Sequence, residues 1–474
     1  IVSGGNYNTV VGDEAGTAIT TGDNNTAVGY KALDTGTGTG NTAIGSAALD
    51  AQTTANFNTA VGSNAGAANT TGGELVAVGR NALQANTTGT ANTAVGMRAL
   101  DANTTAGYNT AVGGDALGAN TTGERNTAIG YSALVRNTTG GYNSATGMYA
   151  LQYNTTGANN VASGYYSLAS NTTGGDNTAS GYDSLGDNTT GSFNAGFGYE
   201  ALARNTTASN NTAMGYRALK VNTEGAYNSA FGHDALDANT TGSFNTATGR
   251  ATLGTNTTGQ FNSASGYVSL LNNTTGQKNT GSGAYTGANL TTGIENTFIG
   301  YNAGGTRTTG SNNVCIGYNA GHDGTSSSDL LFIARNNTGP SNAATWIFGD
   351  SAGACRQGNN ATTWTQTSDE RIKKNIVDSP NGLAKIDALQ VRNFNYRTEE
   401  EITVEGLTGC DATGLQVGVI AQEIEAVLPE AVTESDSGQK QVQTDPIFWS
   451  MVKAIQELST QNAALEARLT ALEE

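Results

Sequence analysis

The chain has 474 residues, of which 65 are Gly and only 4 Pro, and it carries a formal net charge of −17. Collagen requires Gly at every third position with abundant Pro and is excluded, while 36% hydrophobic and 13% charged residues are low for a globular enzyme and too uncharged for a charge-swollen disordered chain. The acidic balance disfavours nucleic acid and anionic membrane as partners.

Cysteine and histidine are scarce. Three Cys (Cys315, Cys355, Cys410) and two His (His233, His322) are too few for a disulfide framework, a zinc site or a histidine triad, so neither metal nor cofactor is expected. No run of about 18 apolar residues is present, so no membrane insertion is expected. The opening Ile1-Val2-Ser3-Gly4-Gly5 is not a signal peptide. It reads as the middle of a repeat, hence as a fragment or processed product.

Residues 1–321 are a repeat. An Asn opens the phrase Asn-Thr-Ala-Val-Gly at Asn8, Asn25 and Asn41, and from Asn41 to Asn313 the spacing is 17 without an indel, with Leu75 standing once for Asn. Gly follows four residues after each anchor, Leu usually eight after, and Asn-Thr-Thr-Gly comes near offset 11, as at Asn120-Thr121-Thr122-Gly123. A unit of this length is too short for two packed helices. Filled with β-branched residues and turn formers, it predicts one coil of a parallel β-solenoid. Asn-Thr-Ala-Val-Gly-Tyr predicts a short strand. The fixed Gly predicts an unusual φ or a close backbone approach, Asn-Thr-Thr-Gly predicts a turn, and the anchors predict a hydrogen-bonded Asn ladder. About nineteen coils at roughly 4.8 Å each give a shaft of roughly 90 Å. Apolar content per coil is thin, which predicts packing of several chains, a homotrimer being the natural form.

The phrase resembles the coil of trimeric adhesin heads, the YadA-like head repeats, through Asn-Thr-Ala-Ile-Gly at Asn41 to Gly45 and Asn126 to Gly130. Those repeats are shorter, so about three extra residues are expected in the Asn-Thr-Thr-Gly turn. The sequence holds no anchor barrel, so a membrane-anchored autotransporter is not expected.

Two surface features of the repeat have functional readings. Tyr often follows the repeat Gly, as at Tyr131, Tyr165, Tyr182, Tyr199, Tyr216 and Tyr267. The plain reading is a stiffening ladder; the sharper one, with Tyr165, Tyr182, Tyr199 and Tyr216 as candidates, is a row that stacks on a host-surface glycan. His233, at the same offset, is a surface substitution. The Asn-X-Thr triplets are formal glycosylation acceptors that their period explains as turns. A glycan-cleaving enzyme would need paired acids; Asp183 and Glu200, one coil apart, are scattered substitutions rather than such a pair.

After Gly321 the period stops, and residues 322–367 predict a β-rich stem, with Leu330-Leu331-Phe332-Ile333 and Trp346-Ile347-Phe348 as strands around Gly339-Pro340. Cys355 there, without a neighbouring His, reads as a small buried side chain. From Thr367 the composition is mixed. Leu383, Ile386 and Leu389 have helical spacing, residues 391–396 alternate as a strand, Val417 to Ile420 form another, and Gln422 to Leu428 a helix ending at Pro429. A long helix follows over 446–474. Phe448, Met451, Ile455, Leu458, Asn462, Leu465, Leu469 and Leu472 make a heptad seam, with Asn462 as a register-fixing polar residue of a trimeric coiled coil.

The chemical motif is Ser368-Asp369-Glu370-Arg371-Ile372-Lys373. Together with Gly418-Val419-Ile420-Ala421-Gln422-Glu423-Ile424 and Leu428-Pro429-Glu430-Ala431-Val432 it resembles the endosialidase-type intramolecular chaperone, a self-cleaving serine peptidase family at the C-terminus of phage tailspikes and tail fibres. The resemblance covers 368–474. It implies a small α+β domain that drives trimer assembly and then cuts itself off, with Ser368 as nucleophile and Lys373 as general base. A Ser hydroxyl needs such a base, and Lys serves only where burial or neighbouring cations depress its pKa. Arg371 or Lys374 would add cationic pressure and Asp369 would orient the dyad. Attack on the carbonyl of Thr367 closes a five-membered ring, which favours the Thr367–Ser368 bond; attack between subunits would remove that preference.

These readings give a mainly β protein: a trimeric parallel β-solenoid of 17-residue coils, a short β stem and an α+β chaperone domain ending in a trimeric coiled coil. The expected function is a phage tail fibre, assembled in the host cytoplasm and working on the virion tail, with self-processing as its enzymatic act. A bacterial surface adhesin with the same chaperone, or a passive fibre with an uncleaved cap, are the alternatives.

Overall fold

The computed structural model describes residues 5–321, 327–335, 345–349, 351, 355–357, 379, 382–397, 401–402, 414–434 and 439–473. The chain divides into two compact units, Ile1–Trp364 and Thr365–Glu474.

The first unit is a parallel β-solenoid. Its strands run from β1 (Thr9–Val11) through β19 (Val314–Ile316) to β20 (Leu331–Ala334), each paired parallel with the next. The register steps by one repeat per coil, as in Thr110↔Thr127. The stack runs one strand past Gly321, with Leu330 in the anchor place: its N–H donates to Asn313 Oδ1 at 3.2 Å. The sequence signal ended earlier because this coil lacks the anchor Asn and has Ala334 where the Gly would stand. Strand β21 (Thr345–Gly349) then pairs antiparallel with β20, and β22 (Cys355–Gln357) antiparallel with β21.

From β2 to β19 each strand is Thr-Ala-Val or a variant, with the central residue buried and its two neighbours pointing outward. Val and Ile of the phrase therefore face out, and the interior is built from other residues. In the coil that begins at Asn109 the inward set is Asn109, Ala111, Ala116, Leu117 and Asn120, all fully buried. Two of these five are amides, so the thin apolar content is supplemented by hydrogen-bonded polar side chains.

The amides form two ladders. At the anchor, the backbone N–H of Asn126 donates to Asn109 Oδ1 at 2.9 Å, and that of Asn143 to Asn126 Oδ1 at 3.0 Å. The second ladder uses the Asn of Asn-Thr-Thr-Gly. Asn120 Nδ2 donates to Asn103 Oδ1 at 3.0 Å and to the Gly123 carbonyl at 2.9 Å. Asn109 Nδ2 donates to that same carbonyl at 3.0 Å, which ties the ladders together. The segment expected to serve only as a turn thus supplies half of the polar core. Its Thr residues also link coils, as where Thr121 Oγ1 donates to the Thr138 carbonyl at 3.0 Å.

The repeat Gly is required twice over. Gly130 has φ +138°, and a Cβ there would lie 2.5 Å from the carbonyl oxygen of Gly147 in the next coil. The repeat Leu is the less expected case. Leu117, Leu134 and Leu151 all sit at φ of 52–53°. That left-handed conformation costs an L-residue about 1–2 kcal/mol, while burying a Leu side chain contributes about 1.5–3 kcal/mol. Burial offsets the strain. Where Gly takes this place, another side chain fills the space. Ile19 stands in the second ladder three residues after Gly16, and a Cβ on Gly16 would meet Ile19 Cδ1 at 2.9 Å. The Phe298 ring lies 2.6 Å from a Cβ at Gly287 and 2.5 Å from one at Gly304, so one aromatic replaces two Leu.

The second unit contains α1 (Gly382–Ala388), β23 (Arg392–Phe394), β24 (Gln416–Gly418), α2 (Ala421–Val427), β25 (Val432–Glu434), β26 (Lys440–Val442) and α3 (Thr444–Glu473). β23 pairs antiparallel with β24, and β25 with β26. The whole is mainly β, with a small C-terminal β/α region ending in a helix.

Candidate functional site

The residues assigned to self-cleavage, Thr367, Ser368, Asp369, Arg371 and Lys373, lie outside the described residues. What is described is the scaffold that follows them. β24 runs straight into α2, and α2 into a short turn of helix at Pro429–Ala431. Ile424, Leu428 and Ala431 are buried together, packed by Leu389, Val419, Val432 and Ile447. Gly418 lies under the Phe394 ring, whose Cε1 would be 3.2 Å from a Cβ at that position. The two downstream sequence blocks are therefore structural: they build this core and its entry turn.

Ion pairs brace the surface. Arg392 holds Glu423 through two bonds, Nη2 to Oε1 at 2.8 Å and Nε to Oε2 at 3.1 Å. Lys385 donates to Glu430 at 2.8 Å. These hydrogen bonds hold the Glu423 and Glu430 carboxyls below their ordinary range.

One arrangement carried no sequence signal. Glu457, on α3, accepts from the backbone N–H of Leu383 at 2.8 Å and of Gly382 at 3.0 Å. It satisfies the open donors at the start of α1, and those two bonds hold its carboxyl below the ordinary range. Gly382 is needed there, because a Cβ would fall 2.5 Å from Lys453 Cβ. The element nine residues beyond Lys373 is thus tied to the helix that carries the heptad seam. Along that seam Phe448, Met451, Ile455, Leu458, Leu465, Leu469 and Leu472 are 42 to 83% exposed. Asn462 is exposed with them.

On the shaft, the candidate tyrosines form one column. Tyr165, Tyr182, Tyr199 and Tyr216 stack with centroid spacings of 5.6, 5.0 and 5.2 Å and interplanar angles of 15° or less, and His233 continues the column at 4.7 Å. Within it the faces of the rings stack on one another. A second column precedes the anchors, with Tyr227, Phe244 and Phe261 spaced 5.0 Å apart. Asp183 and Glu200 do not make an isolated acid pair. Glu200 is bridged to Lys220 at 2.7 Å. Burial, then Asp187 and Glu200, push the Asp183 carboxyl up. Among the described residues no cluster of metal-binding side chains occurs, and no helix is long and apolar enough to cross a membrane.

Residues 368–433 match the family model described as chaperone of endosialidase, peptidase S74. The match begins at Ser368 and takes in both downstream blocks. The chain thus carries an endosialidase-chaperone segment behind a β-solenoid of stacked coils, a combination consistent with a protein of the tail-fibre or tailspike type.

Proposed function

We propose that this protein is the homotrimeric fibre of a phage tail, whose C-terminal domain directs trimer folding and then releases itself by cleavage next to Ser368. The observation that carries the reading is the chaperone match C-terminal in sequence to a long solenoid. The exposed heptad seam of α3 supports it, since burying that seam needs further copies.

In the proposed chemistry Lys373 takes the Ser368 hydroxyl proton as Oγ attacks the Thr367 carbonyl carbon. The new C–O bond forms, the Thr367–Ser368 C–N bond breaks, and the proton passes to the departing amine of Ser368. Water then hydrolyses the ester, leaving a Thr367 carboxylate and restoring the hydroxyl. Asp369 orients the dyad, and Arg371 adds positive charge that keeps the Lys373 amine neutral. No cofactor enters. The event occurs once per chain, in the host cytoplasm, and the released shaft serves on the virion tail. We assign host-surface glycan recognition to the shaft, with the edges and hydroxyls of Tyr165, Tyr182, Tyr199 and Tyr216 as contacts.

The test is a denaturing gel and intact mass of fresh wild type beside Ser368→Ala and Lys373→Ala. The proposal expects a separate piece from Ser368 to Glu474 in wild type only. A wild type that stays whole as a folded trimer would make the C-terminal unit a permanent cap and remove the peptidase.

A further inference from the structure

The outward side of the shaft strands has a composition that solvent alone does not explain. From β2 to β19 each strand points two residues out, one on either side of its buried centre. Across β1 to β20 these positions hold Thr, Ser, Val, Ala, Leu, Ile, Phe and Met, and none is charged. The chain has 22 basic and 39 acidic residues, so charge is available. It is placed on other rows, in inter-coil pairs such as Arg98–Asp115 at 2.7 Å and Arg217–Asp237 at 3.0 Å. The register stacks corresponding positions on one another, Met214 against Phe231 for instance, so each position forms a continuous row from coil to coil. These rows leave Ile44, Val112, Ile129, Met214, Phe231 and Ile299 between 37 and 49% exposed. Parallel sheets are ordinarily covered on both faces, and a solvated strand face takes charged residues freely.

We propose that this charge-free strip is the surface through which copies of the chain meet, side by side, parallel and in register. The proposal rests on the reading of the protein as an assembly of copies, and it adds which face of the shaft makes the contact. Another copy is the occupant that fits. Only a partner with the same coil rise matches both rows along their whole length. A strip of roughly 90 by 10 Å offers on the order of 900 Å² per copy, against about 800 Å² per partner in stable interfaces. With −17 on every copy, uncharged surfaces are where two copies approach without opposing like charges. A polar glycan is a poor occupant where Phe197, Met214 and Phe231 follow one another in consecutive coils.

Distances between spin labels test this on the full, uncut chain. In a Ser368→Ala background with Cys355→Ser and Cys410→Ser, single labels are placed at Thr212→Cys on the strip, Asp187→Cys on a charged row, or Glu473→Cys on α3. Packed sheets lie about 10 Å apart, so strip labels should fall within about 20 Å of each other in a narrow distribution, and Asp187 labels beyond about 30 Å. Glu473 labels should be close as well. Close Glu473 labels with broad, long Thr212 distances would overturn the strip while leaving the assembly intact. Close Asp187 labels with distant Thr212 labels would move the contact to the charged row. No interspin coupling at any site, with a monomeric sedimentation coefficient, would overturn the assembly reading itself.

Discussion

In the shaft the repeat Leu of a coil, such as Leu117 or Leu134, is fully buried by its own chain, while in α3 the apolar side chains of the seam, from Phe448 to Leu472, stand in solvent. The difference follows from how each region repeats. A solenoid coil meets an identical coil above and below, so Asn, Ala and Leu find partners one repeat away. A lone helix presents its heptad stripe to nothing, and only another helix of the same pattern covers it. The shaft therefore closes its core within one chain, and the C-terminal unit leaves an apolar stripe of α3 exposed. The proposed function accounts for both: an assembly domain would need such a surface, and a fibre released from that domain would need an interior that does not depend on it.

Substitutions inside the shaft test how complete that closure is. Gly130→Val places a branched side chain at φ +138°, 2.5 Å from the next carbonyl oxygen at its Cβ. It should cost about 4 kcal/mol or more and block the stack at that coil, seen as loss of the urea transition or as insolubility. Leu117→Gly removes a buried side chain but relieves backbone strain, for a net loss of about 2–3 kcal/mol. Asn120→Ile leaves Asn137 Nδ2 and the Asn103 amide short of partners, for about 2–3 kcal/mol as well. Together they recreate the Gly16–Ile19 arrangement. The double variant should lose at least about 1 kcal/mol less than the sum, measured by a urea double-mutant cycle; strict additivity would contradict the space-sharing account.

Acid should separate the two units by sign. Burial, as the leading cause, raises Asp101, Asp183 and Asp237 of the shaft above their ordinary 3.8. A raised carboxyl favours the folded state when protonated, so their contribution grows as pH falls through the folded values and is complete below the unfolded one. Hydrogen bonds lower Glu423, Glu430 and Glu457 below their ordinary 4.5. Their contribution is present above that value and is lost as pH falls beneath it. Scanning from pH 7 to about 3.5, the shaft transition should hold or rise while that of the C-terminal unit falls. Glu457→Gln should flatten part of the latter response. Parallel decline of both transitions would contradict the assignment.

Much of the fold was legible because the repeat is explicit. The spacing of Asn41 to Asn313 gave the coil, Gly130 and its equivalents the close approach, and residues 383–389 and 446–474 the helices. The hidden parts have physical reasons. Asn120 looks like a turn former, and only the neighbouring coil reveals it as a buried rung. Leu117 at positive φ contradicts local preference because tertiary burial outweighs it. Glu457 bonds to amides some 75 residues away and follows no local pattern. The twentieth coil is hidden in the sequence because Leu330 occupies the place of the anchor Asn. The proposed dyad of Ser368 and Lys373 rests on resemblance alone, since two side chains five residues apart in sequence carry no geometry by themselves, and both lie outside the described residues.

Hydrogen exchange on the uncut Ser368→Ala chain, at concentrations spanning its assembly midpoint, tests the contrast between the units most directly. The account predicts that amides of the shaft strands between β1 and β20 stay protected at every concentration, because their partners lie within the chain. Those of α3 should gain protection only as copies associate. An α3 equally protected in the dilute monomer, or shaft strands that become protected only on assembly, would contradict it.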